Sequence, residues 1–213
     1  MAPKPRQMHR GVALLLVLAL AAFVGTTTTS AASGPLRVTF VGDSVAASIS
    51  YVPAAQAQLR RGMKVRVDAR VCRRLVQPSC SFEGSTPTTA LQAVQGYGRS
   101  LGRVLVVKVG YNESTEGYGA GIDRVMRAAL GQGAVGVVWV TLRETRDIYH
   151  STNLAIETAA KRWPQLVVAD WNAYSSRRAW FGHDGLHLTE KGAGALVSFL
   201  RPYVWRAAGT KAH

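Results

Sequence analysis

Ser44, Asn112, Asp184 and His187 are the residues whose types and spacing could together do chemistry in this chain of 213 residues. A serine hydroxyl becomes a nucleophile when an imidazole takes its proton and a carboxylate orients that imidazole. Asp184-Gly185-Leu186-His187 puts both partners in one glycine-containing turn. Ser44 ends the stretch Val38-Thr39-Phe40-Val41-Gly42-Asp43-Ser44. An apolar run that meets a glycine predicts a buried strand turning sharply into a helix. The Ser44 hydroxyl would then sit at the carboxyl edge of a sheet, where open α/β folds bind ligands. It would also sit at a helix N-terminus, whose free N–H groups favour negative charge. Asn112 follows a second apolar run in Val109-Gly110-Tyr111-Asn112, and its side-chain amide is a candidate donor to an oxyanion. Each element alone is weak. An Asp-Ser pair before a helix is usually an N-cap, and a lone Asp-x-x-His is usually a capping aspartate with a surface histidine.

Taken together and in this order, the three stretches resemble the SGNH, or GDSL-type, serine hydrolases, over roughly Leu36 to Trp205. The resemblance implies Ser44 as nucleophile, His187 as base and Asp184 as its orienting carboxylate, without a cofactor. It implies an oxyanion hole made by the Ser44 N–H, the Asn112 side chain and a main-chain N–H after the second strand. The family has glycine at that third donor. Here the block Asp68-Ala69-Arg70-Val71-Cys72-Arg73 carries Cys72, whose N–H can serve if the backbone allows. Gly42, Asp43 and Gly110 would support the site, Asp43 without acting as the base. Glu113 stands where the family often has aspartate and reads as structural. No metal is expected: His183, Asp184 and His187 make only three ligands, and Gly185 argues against a helix aligning the two histidines. Gly117–Gly121 does not match a phosphate loop, and there is no Gly-x-Ser-x-Gly elbow.

The elements that must hold these residues alternate along the chain. Strands are predicted at Arg37–Val41, Lys64–Asp68, Val104–Val109, Val135–Leu142 and Leu166–Ala169. Lys64–Asp68 alternates apolar and charged residues and should be less buried than the first strand, whereas Val104–Val109 should be central. Helices are predicted from Ser44 to Arg61 with Pro53 as an interruption, from Thr88 or Thr89 to Leu101, and over Ile122–Leu130, Ser151–Trp163 and Thr189–Tyr203. Ser114–Gly121, Arg143–His150 and Tyr174–His183 read as loops. Five alternations argue for one doubly wound domain, a parallel sheet with helices on both faces. The resemblance implies the same flavodoxin-like α/β/α sandwich. The domain would span 36–206, with 207–213 as a tail.

Residues 1–32 read as a secretory leader: Lys4, Arg6 and Arg10, then the apolar run Val12–Val24, then small residues around Ser30-Ala31-Ala32. Beyond it no segment is long and apolar enough to cross a bilayer. The formal charge of +14 falls to +11 once the leader's three basic residues are removed. A secreted chain of that charge is expected to associate with anionic cell-wall polymers, and no motif points to specific nucleic-acid binding. Cys72 and Cys80, an even pair in an exported chain, predict a disulfide. Trp180-Phe181, just before the Asp-His turn, are candidates for a substrate wall. The expectation is a secreted esterase acting on acetyl or short-chain acyl esters, with O-acetylated glycans among the substrates. Two alternatives stay open: a non-catalytic cell-wall or glycan-binding module, and a glycan O-acyltransferase.

Overall fold

Valine-rich runs become strands here because both their faces are covered. The computed structural model describes Met1 and residues 34–209 apart from 115, 177 and 178. The chain divides into two units, Met1–Ser33 and Gly34–His213, and apart from Met1 the leader expected over 1–32 lies outside the described residues. Five strands, β1 (Leu36–Gly42), β2 (Met63–Ala69), β3 (Val104–Lys108), β4 (Gly136–Val140) and β5 (Leu166–Ala169), form one sheet in the order β2-β1-β3-β4-β5. All four pairings are parallel. β3 is central and buried throughout, whereas β2 lies at an edge and alternates buried with exposed residues.

Period-two alternation sorts each central strand between two cores. Val104 and Val106 of β3 pack with Phe40, Leu196 and Leu200 in one core. Leu105 and Val107 pack with Val94, Ile122, Val125 and Trp139 in the other. The first core is closed by α1 (Ser44–Ala47), α2 (Pro53–Arg60) and α7 (Glu190–Ala207), the second by α3 (Ala90–Tyr97), α4 (Tyr118–Gly131) and α5 (Asp147–Arg162). A short α6 (Trp171–Ser175) follows β5. No helix among the described residues is long and apolar enough to cross a membrane.

Helix boundaries depart from the sequence expectations for local reasons. The helix expected from Ser44 to Arg61 is three pieces, α1, a 3-10 turn at Ser48–Tyr51, and α2, in which Pro53 takes the first position. There its missing N–H costs no helical bond. α3 stops at Tyr97, and a 3-10 turn continues to Leu101. Its start is set by a capping box between Thr89 and Gln92. The segment read as loop through Gly121 is already helical from Tyr118. The buried Tyr118 hydroxyl donates to the Val109 carbonyl and accepts from Trp139 Nε1, so tertiary anchoring outweighs the two glycines. α5 starts a turn earlier than expected, and α6 replaces loop because Asp170 caps it, its Oδ1 accepting from Ala173 N at 3.1 Å. α7 runs on to Ala207, which is buried, as is Ala208; residues 210–213 lie outside the described residues.

Candidate active site

The turn after β1 is built from two closely packed residues, Gly42 and Asp43. Gly42 pairs with Ala69 on one side and Lys108 on the other. A Cβ at Gly42 would lie 2.3 Å from that of Ala46, so only glycine lets α1 begin immediately above the sheet. Asp43 is fully buried and caps α1 through Oδ1, which accepts from Val45 N at 3.1 Å. Its Oδ2 accepts from Gly110 N at 3.1 Å and Tyr111 N at 3.2 Å, the turn after β3. One carboxylate therefore ties the Ser44 turn to the Asn112 turn. Burial pushes the Asp43 carboxyl above its ordinary range, against the pull of Lys108 and of the three N–H donors. Gly110 lies under Leu142, with 2.7 Å between a Cβ built there and Leu142 Cδ1.

Ser44, His187 and Asp184 are brought together from opposite ends of the chain. Ser44 Oγ lies 3.1 Å from His187 Nε2, and His187 Nδ1 lies 2.6 Å from Asp184 Oδ2. The other carboxylate oxygen of Asp184 accepts from Leu186 N at 2.9 Å and His187 N at 3.0 Å. The turn is closed behind by Gly182 N donating to His187 O and Gly185 N to Gly182 O, with Gly185 at φ +68°. The hydrogen bond from His187, then the Leu186 N–H, hold the Asp184 carboxyl down at about 2. An ionised Asp184 thus fixes the Nδ1–H tautomer and leaves Nε2 as the acceptor facing Ser44. The imidazole side chain is 48% exposed, so the site is open to a bulky substrate.

The block after β2 meets the same turn. Asn112 Nδ2 donates to Arg73 O at 3.2 Å, Arg74 Nε returns a bond to Asn112 O at 2.7 Å, and Glu113 Oε1 accepts from Leu75 N at 2.5 Å. Glu113 therefore holds main chain instead of facing solvent. Cys72 stands at φ +64°, a left-handed conformation that glycine adopts most easily. It is bonded to Cys80, with 5.1 Å between their Cα atoms. Arg73 is buried beside it and grips Asp68 O at 2.5 Å, Asp68 Oδ1 at 3.0 Å and Thr88 O at 3.0 Å. Burial would raise the Asp68 carboxyl, but Arg73 and the Tyr97 hydroxyl more than offset it and leave it below the ordinary range.

Two neighbours of the site escaped the sequence reading. Arg143 Nη1 donates to Gly185 O at 2.5 Å while its guanidinium lies 4.0 Å from the Phe181 ring centroid, so it braces the Asp-His turn from β4's side. Lys108 is a fully buried cation in an apolar strand; its lone charge within Val104–Val109 was the available signal. The aromatic pair expected as a substrate wall makes two ring contacts beside the Asp-His turn. Trp180 stacks on buried Trp171 at 5.7 Å, and Phe181 carries Arg143. No group of three His, Cys, Asp or Glu residues able to hold a metal occurs among the described residues.

No protein-family model and no curated protein matches the sequence. Solved structures do match in three dimensions. TesA is similar at 14% identity and a TM-score of 0.61, covering 80% of this chain and 99% of that one. A carbohydrate acetylesterase family member from Sinorhizobium meliloti is similar at 13% identity and 0.62, covering 82% and 99%. A family 3 carbohydrate esterase from Clostridium thermocellum is similar at 11% identity and 0.60, covering 82% and 97%. The likeness spans nearly the whole of each neighbour and establishes the fold, a flavodoxin-like α/β/α sandwich around a five-stranded parallel sheet.

Proposed function

We propose that this chain is a secreted SGNH-type serine esterase acting on acetyl or short-chain acyl esters, O-acetylated glycans among them. The observation that carries the reading is the continuous chain of contacts from Ser44 Oγ through His187 to Asp184. In the reaction, His187 Nε2 takes the Ser44 proton as Oγ bonds to the ester carbonyl carbon. The resulting oxyanion is met by the Ser44 and Cys72 N–H groups and the Asn112 amide. Collapse breaks the ester C–O bond, and the alcohol leaves with the proton held by His187. Water, deprotonated by the same nitrogen, then attacks the acyl-enzyme and restores Ser44. Asp184 stays ionised throughout and stabilises the imidazolium. The esterase names of the structural neighbours support the reaction class, and the two carbohydrate esterases support a sugar-borne acyl group. The open imidazole suits an ester presented on a polymer. The basic balance supports residence near an anionic cell wall.

The test is acyl release from p-nitrophenyl esters of graded chain length and from O-acetylated glycans, with Ser44→Ala as control. A serine-directed phosphonate should label Ser44 and stop turnover. Near-full activity in Ser44→Ala would overturn the reading. Wild type that cleaves no ester yet sediments with cell wall would favour a binding module, and acyl transfer to a glycan acceptor in place of water would make it an acyltransferase.

A further inference from the structure

Lys108 is the one charged residue of β3. Its Cα is in register with Gly42, and the strand's alternation puts its side chain on the face of Val104 and Val106, which pack beneath α1 and α7. The side chain is fully buried, and its Nζ has no hydrogen-bond partner among the described residues. A buried ammonium without partners is costly, and an apolar residue would fill the same space at no such cost. The charged group that answers it is Asp43. Nζ also stands 5.0 Å from the Tyr111 ring centroid, where the ring's negative face offers some compensation. In the other direction, Lys108 is the cation whose field reaches Asp43, while Tyr111, Glu113 and Tyr118 face Asp43 as groups that resist ionising near it.

We propose that Lys108 is a positioning residue, whose buried ammonium keeps Asp43 ionised so that its carboxylate accepts the Val45, Gly110 and Tyr111 N–H groups and locks the Ser44 turn to the Asn112 turn. A protonated Asp43 would turn an O–H toward one of those donors and lose that bond. The nucleophile and the proposed amide donor would then shift relative to each other, and small misplacements of reacting groups are expensive in rate. Burial alone drives Asp43 toward its neutral form, so the clamp needs a cation placed where water cannot reach.

The kinetic half of this inference rests on reading Ser44 as the nucleophile; the other half does not. Lys108→Met keeps the side-chain volume and removes the charge. It should lower kcat by about 10- to 100-fold while KM moves by less than about threefold, and shift the acidic limb of the pH–rate profile upward. In an Asp43→Asn background the same substitution should have no further effect on kcat, since no carboxylate remains to support. An unmoved acidic limb, or an equal effect in both backgrounds, would overturn the proposal. If Lys108→Met does not fold, carbon-13 carboxyl labelling of aspartate in the wild type carries the test. The Asp43 carboxyl resonance should respond when Lys108, held down to about 8 by burial, loses its proton. An Asp43 resonance blind to that alkaline step would refute the pairing, whether or not the protein proves to be an esterase.

Discussion

At the scale of single residues, the serine, histidine and aspartate should behave as a unit. Ser44→Ala or His187→Ala alone should lower kcat by roughly 10³-fold or more, and the double substitution should add little, because either loss already removes the activated nucleophile. Under the proposed mechanism Asn112→Ala should cost about 10²- to 10³-fold in kcat with a smaller change in KM, since an oxyanion donor matters most once the charge has formed. Steady-state kinetics of the four variants check this. Asp184 also makes a prediction about stability. Its carboxyl is held at about 2 against an ordinary 3.8, so the folded state binds its proton less readily than the unfolded state. The resulting stabilisation is fully present above 3.8 and is lost as pH falls through about 2. Asp184→Asn should therefore lower the neutral-pH denaturation midpoint and flatten its fall over that window, so that variant and wild type converge as pH approaches about 2. An unchanged acid slope in the variant would count against the His187–Asp184 contact.

At the scale of elements, three loops at the carboxyl edge of the sheet make the site, and each is held by different means. The turn after β1 is held by a buried carboxylate, the turn 182–187 by its own hydrogen bonds and by Arg143, and the block after β2 by a disulfide and buried Arg73. The Asp68–Arg73 pair is poor evidence of net stability, because desolvation offsets much of its attraction, yet losing Asp68 would leave the buried Arg73 guanidinium without its counter-charge. The disulfide closes a short loop and should contribute about 2.5 kcal/mol by restricting the unfolded chain. Its second effect is local, since it fixes the left-handed backbone at Cys72. Reduction should therefore lower the proposed esterase activity at concentrations of reductant and temperatures where far-ultraviolet circular dichroism still reports a folded sheet. Activity and circular dichroism lost in parallel would show that the bond serves stability alone.

At the scale of the whole molecule, the parallel sheet decides where everything reactive goes. Every strand runs the same way, so the turns after β1, β2 and β3 open on one edge. The Asp-His turn reaches that edge because Thr189 N and Gly192 hold the start of α7 against Trp180 O, where a Cβ on Gly192 would lie only 2.1 Å from that oxygen. The N-terminal reading makes a separate prediction. Material secreted by an expressing host should begin near Ala32 or Ser33, as intact-mass analysis would show, and retention of Met1–Val24 in the secreted form would sink the leader assignment.

Much of this architecture was legible in the order of residues alone. Apolar runs marked β1, β3, β4 and β5, because a strand buried on both faces can tolerate few polar side chains, and period-two alternation marked the edge strand β2. The two short motifs, Gly42-Asp43-Ser44 and Asp184-Gly185-Leu186-His187, announced their turns because tight backbone geometry restricts which residues can occupy it. What the sequence did not determine depends on contacts between segments far apart. The helical start at Tyr118 comes from hydroxyl bonds to Val109 and Trp139, and the α6 turn from the Asp170 cap beside buried Trp171. The left-handed backbone of Cys72 is unfavourable for a side chain and carries no local signature. Arg143 looked like any basic residue in a chain with 26 Lys and Arg, and Lys108 stood out only as the lone charge within Val104–Val109. Only the tertiary structure showed one seated on Gly185 and the other sealed beneath Asp43, because a cation's role depends on which groups share its dielectric surroundings, and those come together only when the sheet closes.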